Sequence, residues 1–165
     1  MRVLGVMFIV VVAIAVGCGT KALPESTAGS QVSGEPEIRF VGPDGFEWSE
    51  VHKIWYNKPL RCSVETAYDS QANFQAICDE FEKDRMQAGN LELVSKQVKD
   101  IGGRSMLIVH SDRIGGNYPQ QAITVAYPAE SGCAQLTAIF PRDLDQKMKD
   151  EIEKALLESQ CTITQ

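Results

Sequence analysis

The stretch that decides the fold is Gln121-Ala-Ile-Thr-Val-Ala-Tyr127, then Ala134-Gln-Leu-Thr-Ala-Ile-Phe140, then the run from Pro141 to Ser159. The first two segments are short, rich in β-branched and aromatic residues, and read as strands. Pro141 ends the second. Asp143 with Gln146 three residues on resembles a capping box, and Leu144, Met148, Ile152, Ala155 and Leu156 follow on one helical stripe. Lys147, Lys149, Glu151 and Glu153 fall mostly off that stripe. The expectation is two strands followed by an amphipathic helix.

Working outward toward the N-terminus, Leu91 to Val98 and Arg104 to Ser111 read as two more strands. Gly102-Gly103 and Gly115-Gly116-Asn117 separate them from each other and from Gln121. These links are too short for parallel crossovers, so the strands are expected to be antiparallel. Before them, Asp69-Ser70 reads as a helix start, with Phe74, Ile77, Cys78, Phe81 and Ala88 at helical spacing and Gly89-Asn90 as a stop. Leu60 to Thr66 alternates, with Leu60, Cys62, Val64 and Thr66 on one face. Val51 to Tyr56 reads as another strand, and Ile38 to Val41 and Phe46 to Trp48 flank Gly42-Pro43-Asp44-Gly45 as a hairpin. The predicted architecture is a single α+β domain, 38–165, with an antiparallel β-sheet covered by two long helices.

This order resembles the PsbP-like family on three features. One is the early hairpin and the helix after an alternating strand. A second is Gly102-Gly103 leading into a long strand. The third is Leu136 to Pro141 running into a capped helix that ends in Leu156-Leu157-Glu158-Ser159. The resemblance spans Phe40 to Cys161. It implies a mostly non-catalytic protein, since the family includes extrinsic subunits and assembly factors of photosystem II, bacterial lipoproteins and a nuclear-transport factor. It transfers no functional residue to this chain.

The N-terminus carries a separate message. Arg2 precedes an uncharged apolar run from Val3 to Gly17, which closes on Ala15-Val16-Gly17-Cys18. That is the order of a secretory signal peptide, and the run falls short of the ~20 apolar residues a membrane-spanning helix needs. The segment resembles the lipobox of bacterial lipoproteins, which implies cleavage after residue 17 and acylation of Cys18. Ala15 stands where that motif usually has Leu. Residues 18–37 are rich in Gly, Ser, Thr, Ala, Pro and Glu and read as the lipidated cysteine plus a flexible tether. As a random coil the tether spans on the order of 25 Å. Gly19, rather than Asp, follows the cysteine; by analogy with enteric bacteria this favours an outer membrane, facing the periplasm, where one exists.

The chain of 165 residues has a net charge of −6, one unit more negative once Arg2 is removed. Such a balance argues against nucleic acid and anionic headgroups as partners. Five cysteines are present, and with Cys18 acylated four remain, an even number in an oxidising compartment. Geometry on the expected elements pairs Cys62 with Cys78 and Cys133 with Cys161. From the turn near Ala67 the strand runs back about 16 Å to Cys62 and the helix about 13 Å to Cys78. The strand from Cys133 and the helix returning from Asp143 are likewise matched at about 23 and 25 Å.

Catalytic motifs are mostly missing. The G-x-x-x-x-G-K-[ST], H-E-x-x-H and G-x-S-x-G patterns are absent, and the glycine pairs read as turns. Asp143, Asp145 and Asp150 lack the Gly and the oxygen donors of a calcium loop, so no metal and no cofactor is expected. His52 and His110 are the only histidines; His110 shares strand parity with Met106 and Ile108, and Ser111 beside it points the other way. Trp48, Trp55, Tyr56 and Tyr118 are either core packing or anchors of a contact surface. Three readings follow. The leading one is a non-enzymatic accessory or assembly factor, held to the membrane lipid through Cys18 and binding another envelope protein. The others are a small-molecule or ion-binding module, and a hydrolase that uses His52 or His110 as base.

Overall fold

The computed structural model describes residues 36–82, 86–87, 89–114 and 118–163, so the expected signal segment, Cys18 and the expected tether up to residue 35 lie outside the described residues, while residues 36 and 37, expected in the tether, already belong to a strand. Seven strands form one antiparallel sheet in the order β2-β3-β4-β8-β7-β6-β5. They are β2 (Glu47–Ser49), β3 (Ile54–Asn57), β4 (Cys62–Asp69), β5 (Leu91–Ile101), β6 (Arg104–Arg113), β7 (Gln120–Pro128) and β8 (Cys133–Pro141). The four long strands expected from sequence are all present, and the antiparallel expectation holds at every pair. Gly102 and Gly103 turn β5 into β6 at φ 63° and 77°, with the Gly103 N–H donating to Asp100 Oδ1 at 3.0 Å.

Two short strands pair apart from the main sheet. β1 (Pro36–Arg39) lies antiparallel to β9 (Gln160–Ile163), with Ile38 opposite Cys161. The hairpin expected around Gly42-Pro43-Asp44-Gly45 is therefore not formed. A turn does close there, Phe46 N–H to Pro43 C=O at 3.4 Å, but it hands the chain from one sheet to the other. The hairpin forms one element later, between β2 and β3, where Lys53 takes φ 54° and donates its N–H to the Ser49 carbonyl at 2.8 Å.

The expectation of two long helices is corrected to one long and one short. α2 (Gln146–Leu157) has the predicted stripe, with Ile152, Ala155 and Leu156 buried, but the expected Asp143–Gln146 capping box is not formed: Asp145 caps the helix through the N–H groups of Lys147 and Met148, and Gln146 is its first residue. α1 covers only Phe74–Glu80. Asp69 does not start it: its carboxylate accepts from Gln71 and Ala72 N–H, which turns the backbone before Asn73 caps the helix. Helical backbone reappears at 86–87.

The helices take opposite faces of the sheet. Successive residues of a strand point to opposite sides, so Val64, Met106, Ile123, Val125, Tyr127, Leu136 and Phe140 pack with Ile152 and Leu156 of α2. Leu107, Val109 and Ala126 form a second, smaller core with Ile77 and Cys78 of α1. Strand β6 is thus buried on both faces from Met106 to Val109. The short α1 leaves Gln135, Thr137 and Ile139 of β8 half-buried on its side.

Candidate functional site

The four aromatic candidates do not gather into one site. Trp48 and Trp55 sit opposite each other across β2 and β3, with ring centroids 5.2 Å apart. Trp55 in turn meets Phe40 at 5.9 Å, and Phe40 meets Phe46 at 5.6 Å edge-on. The row runs from buried to open: Phe40 is 2% exposed, Trp55 is half-buried and Trp48 is 37% exposed. Trp55 packs against the α2-side core, and Trp48 carries the row to the surface. Trp48 Nε1 donates to Glu50 Oε1 at 2.8 Å, and hydrogen bonds from Lys53 and Trp48 hold the Glu50 carboxyl below its usual range. Tyr56 has the opposite strand parity and donates to Glu47 Oε2 at 3.3 Å. Beside the row, Val41, Phe40, Trp55, Ile38 and Thr162 line a cleft of about 510 Å³.

Tyr118 belongs elsewhere. It is 70% exposed and stands at a cleft of about 550 Å³ that Arg61, Pro119, Gln120, Pro141, Arg142 and Asp143 also line. Arg61 is held at φ 54° in the β3–β4 turn, and Arg142 forms an ion pair with Asp112.

The histidines are far from forming a shared site. His52 lies in the exposed β2–β3 turn. His110 shares the α2 face with Met106 and Ile108, and its Nε2 lies 3.4 Å from Glu153 Oε2 of α2. Together with Gln121, Gln146, Lys149 and Asp150 this pair lines a narrow polar cleft of about 240 Å³. Sequence reasoning misses Glu153, because a charged residue just off the apolar stripe carries no sign of a partner on a distant strand. Ser111 points to the other face, where it is buried. Among the described residues no group of three or more His, Cys, Asp or Glu stands together as a metal set. Asp145 is spent on the α2 cap.

The cysteine expectation is corrected. Cys62, Cys78, Cys133 and Cys161 are free thiols in this structure. Cys62 belongs to the α2-side core and Cys78 to the α1-side core, so the sheet lies between them. Cys133 likewise faces α1, whereas Cys161 packs against the α2-side core. Matching lengths of strand and helix does not say which face each helix covers, and for Cys78 the length itself fails because α1 starts only after Asn73. Burial pushes all four thiols up, Cys62 to about 11.

Taken together, the antiparallel sheet, the capped C-terminal helix running back over it and the smaller helix on the reverse face define an α+β domain of PsbP-like fold. Solved structures that share it include two of known context. One is the solution structure of cyanobacterial PsbP (CyanoP) from Synechocystis sp. PCC 6803, at TM-score 0.55 and 11% identity, covering 83% of this chain and 98% of that one. The other is the crystal structure of LpqN, involved in cell envelope biogenesis of Mycobacterium tuberculosis, at TM-score 0.53 and 14% identity, covering 81% of this chain and 86% of that one. No family model and no curated protein matches the sequence.

Proposed function

We propose that this protein is a lipid-anchored accessory factor of the cell envelope that binds another envelope protein and does not turn over a substrate. The observation that carries the reading is the joining, in one chain, of a lipobox-like segment ending at Cys18 to a PsbP-like domain. LpqN, which shares the fold, is itself described as involved in cell envelope biogenesis. Among the described residues no helix is long and apolar enough to cross a membrane; in this reading the anchor is the acylated Cys18. Gly19 after that cysteine supports an outer-membrane address, with the domain facing the periplasm, in an organism that has one. The surface we assign to the partner is the open end of the aromatic row, Trp48 on Trp55, because a half-exposed Trp backed by buried rings is a rigid anchor.

The test is site-specific photo-crosslinking in intact cells. A crosslinker at position 48 is expected to capture an envelope protein, and capture should fall when Cys18 is replaced by Ser. A crosslinker at Lys99, on the far edge strand, should capture much less. Equal capture from both positions, or none from 48, overturns the reading. The cleft of about 550 Å³ between Arg61, Tyr118 and Arg142 favours a second reading, a module for a small anionic ligand. A thermal shift of several degrees with an organic anion, lost in Arg61→Ala, would support that reading instead.

A further inference from the structure

Four cysteines allow three pairings, and the fold removes five of the six individual bridges. Cys62 and Cys161 lie on the α2 side of the sheet and Cys78 and Cys133 on the α1 side. A bridge between the two sets would have to pass through a packed sheet, whereas bridged Cα atoms lie within about 7 Å. That leaves Cys62–Cys161 and Cys78–Cys133. Cys62 lies next to Ser63, which pairs with Ile139 near the end of β8. Cys161 stands at the other end, where it acts electrostatically on Tyr127 and is itself affected by Glu130 of the β7–β8 turn. Tyr127 pairs with Ala134, so the two thiols are separated by most of the length of β8, on the order of 20 Å at strand rise. They are out of reach.

Cys78 and Cys133 are the pair that remains. Both are buried, at 5% and 3% exposure, in the same small apolar core with Ile77, Leu107, Val109 and Ala126. Cys133 Sγ donates to the Ala72 carbonyl at 3.6 Å, and Ala72 immediately precedes the Asn73 cap of α1. The two thiols also interact electrostatically. We propose that Cys78 and Cys133 form a disulfide that fastens α1 to the start of β8, while Cys62 and Cys161 stay thiols. The pairing rests on the fold alone; its formation in the cell rests on the export reading above.

With glutathione disulfide as oxidant the chemistry closes in two exchanges. The Cys78 thiolate attacks one glutathione sulfur, forming a mixed disulfide and releasing one glutathione thiolate. The Cys133 thiolate then attacks the Cys78 sulfur and releases the second. Two protein thiols are oxidised, one glutathione disulfide is reduced to two thiols, and the two protons from the cysteines end on those thiols. Because burial keeps both cysteines protonated, the bridge should form slowly at neutral pH, about tenfold faster per unit of rising pH while thiolate is the minority form.

The test uses the full chain, made in a reducing cytosol, purified in detergent and exposed to glutathione disulfide without denaturant. Peptide mapping without reduction is expected to find Cys78 joined to Cys133, with Cys62 and Cys161 alkylated. The double variant Cys62→Ala/Cys161→Ala should form the same bridge, which guards against a folding defect in Cys78→Ala or Cys133→Ala. Any bridge that includes Cys62 or Cys161, or Cys78 and Cys133 both still alkylatable after oxidation, overturns the proposal. A second arm maps protein recovered from cells that export it. If the purified chain forms the bridge and the exported protein does not, the pairing stands and the export reading falls.

Discussion

The guanidinium of Arg104 lies 4.1 Å above the ring of Tyr127 and donates from Nη2 to the carbonyls of Leu157 and Ser159, at 3.3 and 3.1 Å. One side chain from the start of β6 thus stacks on the core tyrosine and neutralises the carbonyl end of α2, where the helix dipole is negative. Tyr127 hydroxyl meets Ser159 Oγ at 3.3 Å, and Ser159 donates to the Leu156 carbonyl at 2.6 Å. The C-terminal end of α2 is therefore tied to the sheet by a buried polar set that nothing in the local sequence announces.

Arg104→Ala should destabilise the domain by about 2 kcal/mol, since it removes the stacking and both carbonyl donors together. Arg104→Lys should restore less than half of this, because a point ammonium cannot stack flat and reach two carbonyls at once. Urea denaturation of the two variants beside the wild type measures the difference. Equal stability of Lys and Arg would show that charge alone matters.

Gly132 and Gly103 both have positive φ, 75° and 77°, yet should respond very differently to alanine. A Cβ at Gly132 would lie 1.9 Å from the Asp69 carbonyl oxygen, while one at Gly103 meets nothing within 4 Å. Gly103→Ala should cost about 1 kcal/mol, the backbone penalty alone. Gly132→Ala should cost at least about 3 kcal/mol, because the β7–β8 turn has to move off β4. Thermal melts of the two variants would test the contrast, and similar losses would refute it.

Alkaline pH should weaken the fold through Cys62. Its thiol titrates near 11 in the folded protein, against 9.0 when unperturbed. Between those values the unfolded chain has lost its proton and the folded one has kept it, so stability falls as pH rises. At about 1.4 kcal/mol per unit the loss is about 2 kcal/mol by the top of the window. Cys62→Val, which cannot ionise, should give a shallower decline in denaturation midpoints from pH 8.5 to 10.5. An unchanged slope would mean that other groups dominate.

Cys18→Ser should abolish fatty-acid labelling and leave either an uncleaved precursor or a soluble product. Unchanged labelling and membrane fractionation in that variant would remove the basis for lipid anchoring.

Deleting Thr20 to Glu35 should leave the melting temperature of the domain nearly unchanged, because that stretch offers only Leu23 and Val32 as large apolar residues. A loss of several degrees would place folded structure before β1.

The candidate residues were legible to different depths. Trp48 and Trp55 were visible as a cluster because they lie close in sequence, and short-range pairing across a hairpin keeps such residues together. Tyr118 was grouped with them by residue type alone, and it lines a different cleft. The His110–Glu153 pair was invisible, since a charged residue one position off an apolar stripe reads the same whether it faces solvent or the rim of a sheet.

Local pattern alone determined the long strands β5 to β8, their antiparallel pairing and the apolar stripe of α2, because strand alternation, short links and helical stripes are set within one or two turns of chain. The uncharged apolar run from Val3 to Gly17 that closes on Cys18, and the missing catalytic motifs, were equally legible. Tertiary structure decided the rest. β1 pairs with β9, and two four-residue strands at opposite ends of a domain carry no local mark of each other. Asp69 turned the backbone by its own hydrogen bonds and delayed α1 to Asn73, a competition that spacing of apolar residues does not register. Above all, strand parity states which residues share a face, but only packing assigns a helix to that face. Cys78 and Cys133 therefore meet under α1, and Cys62, on the same alternating strand that pointed to it, faces the other helix.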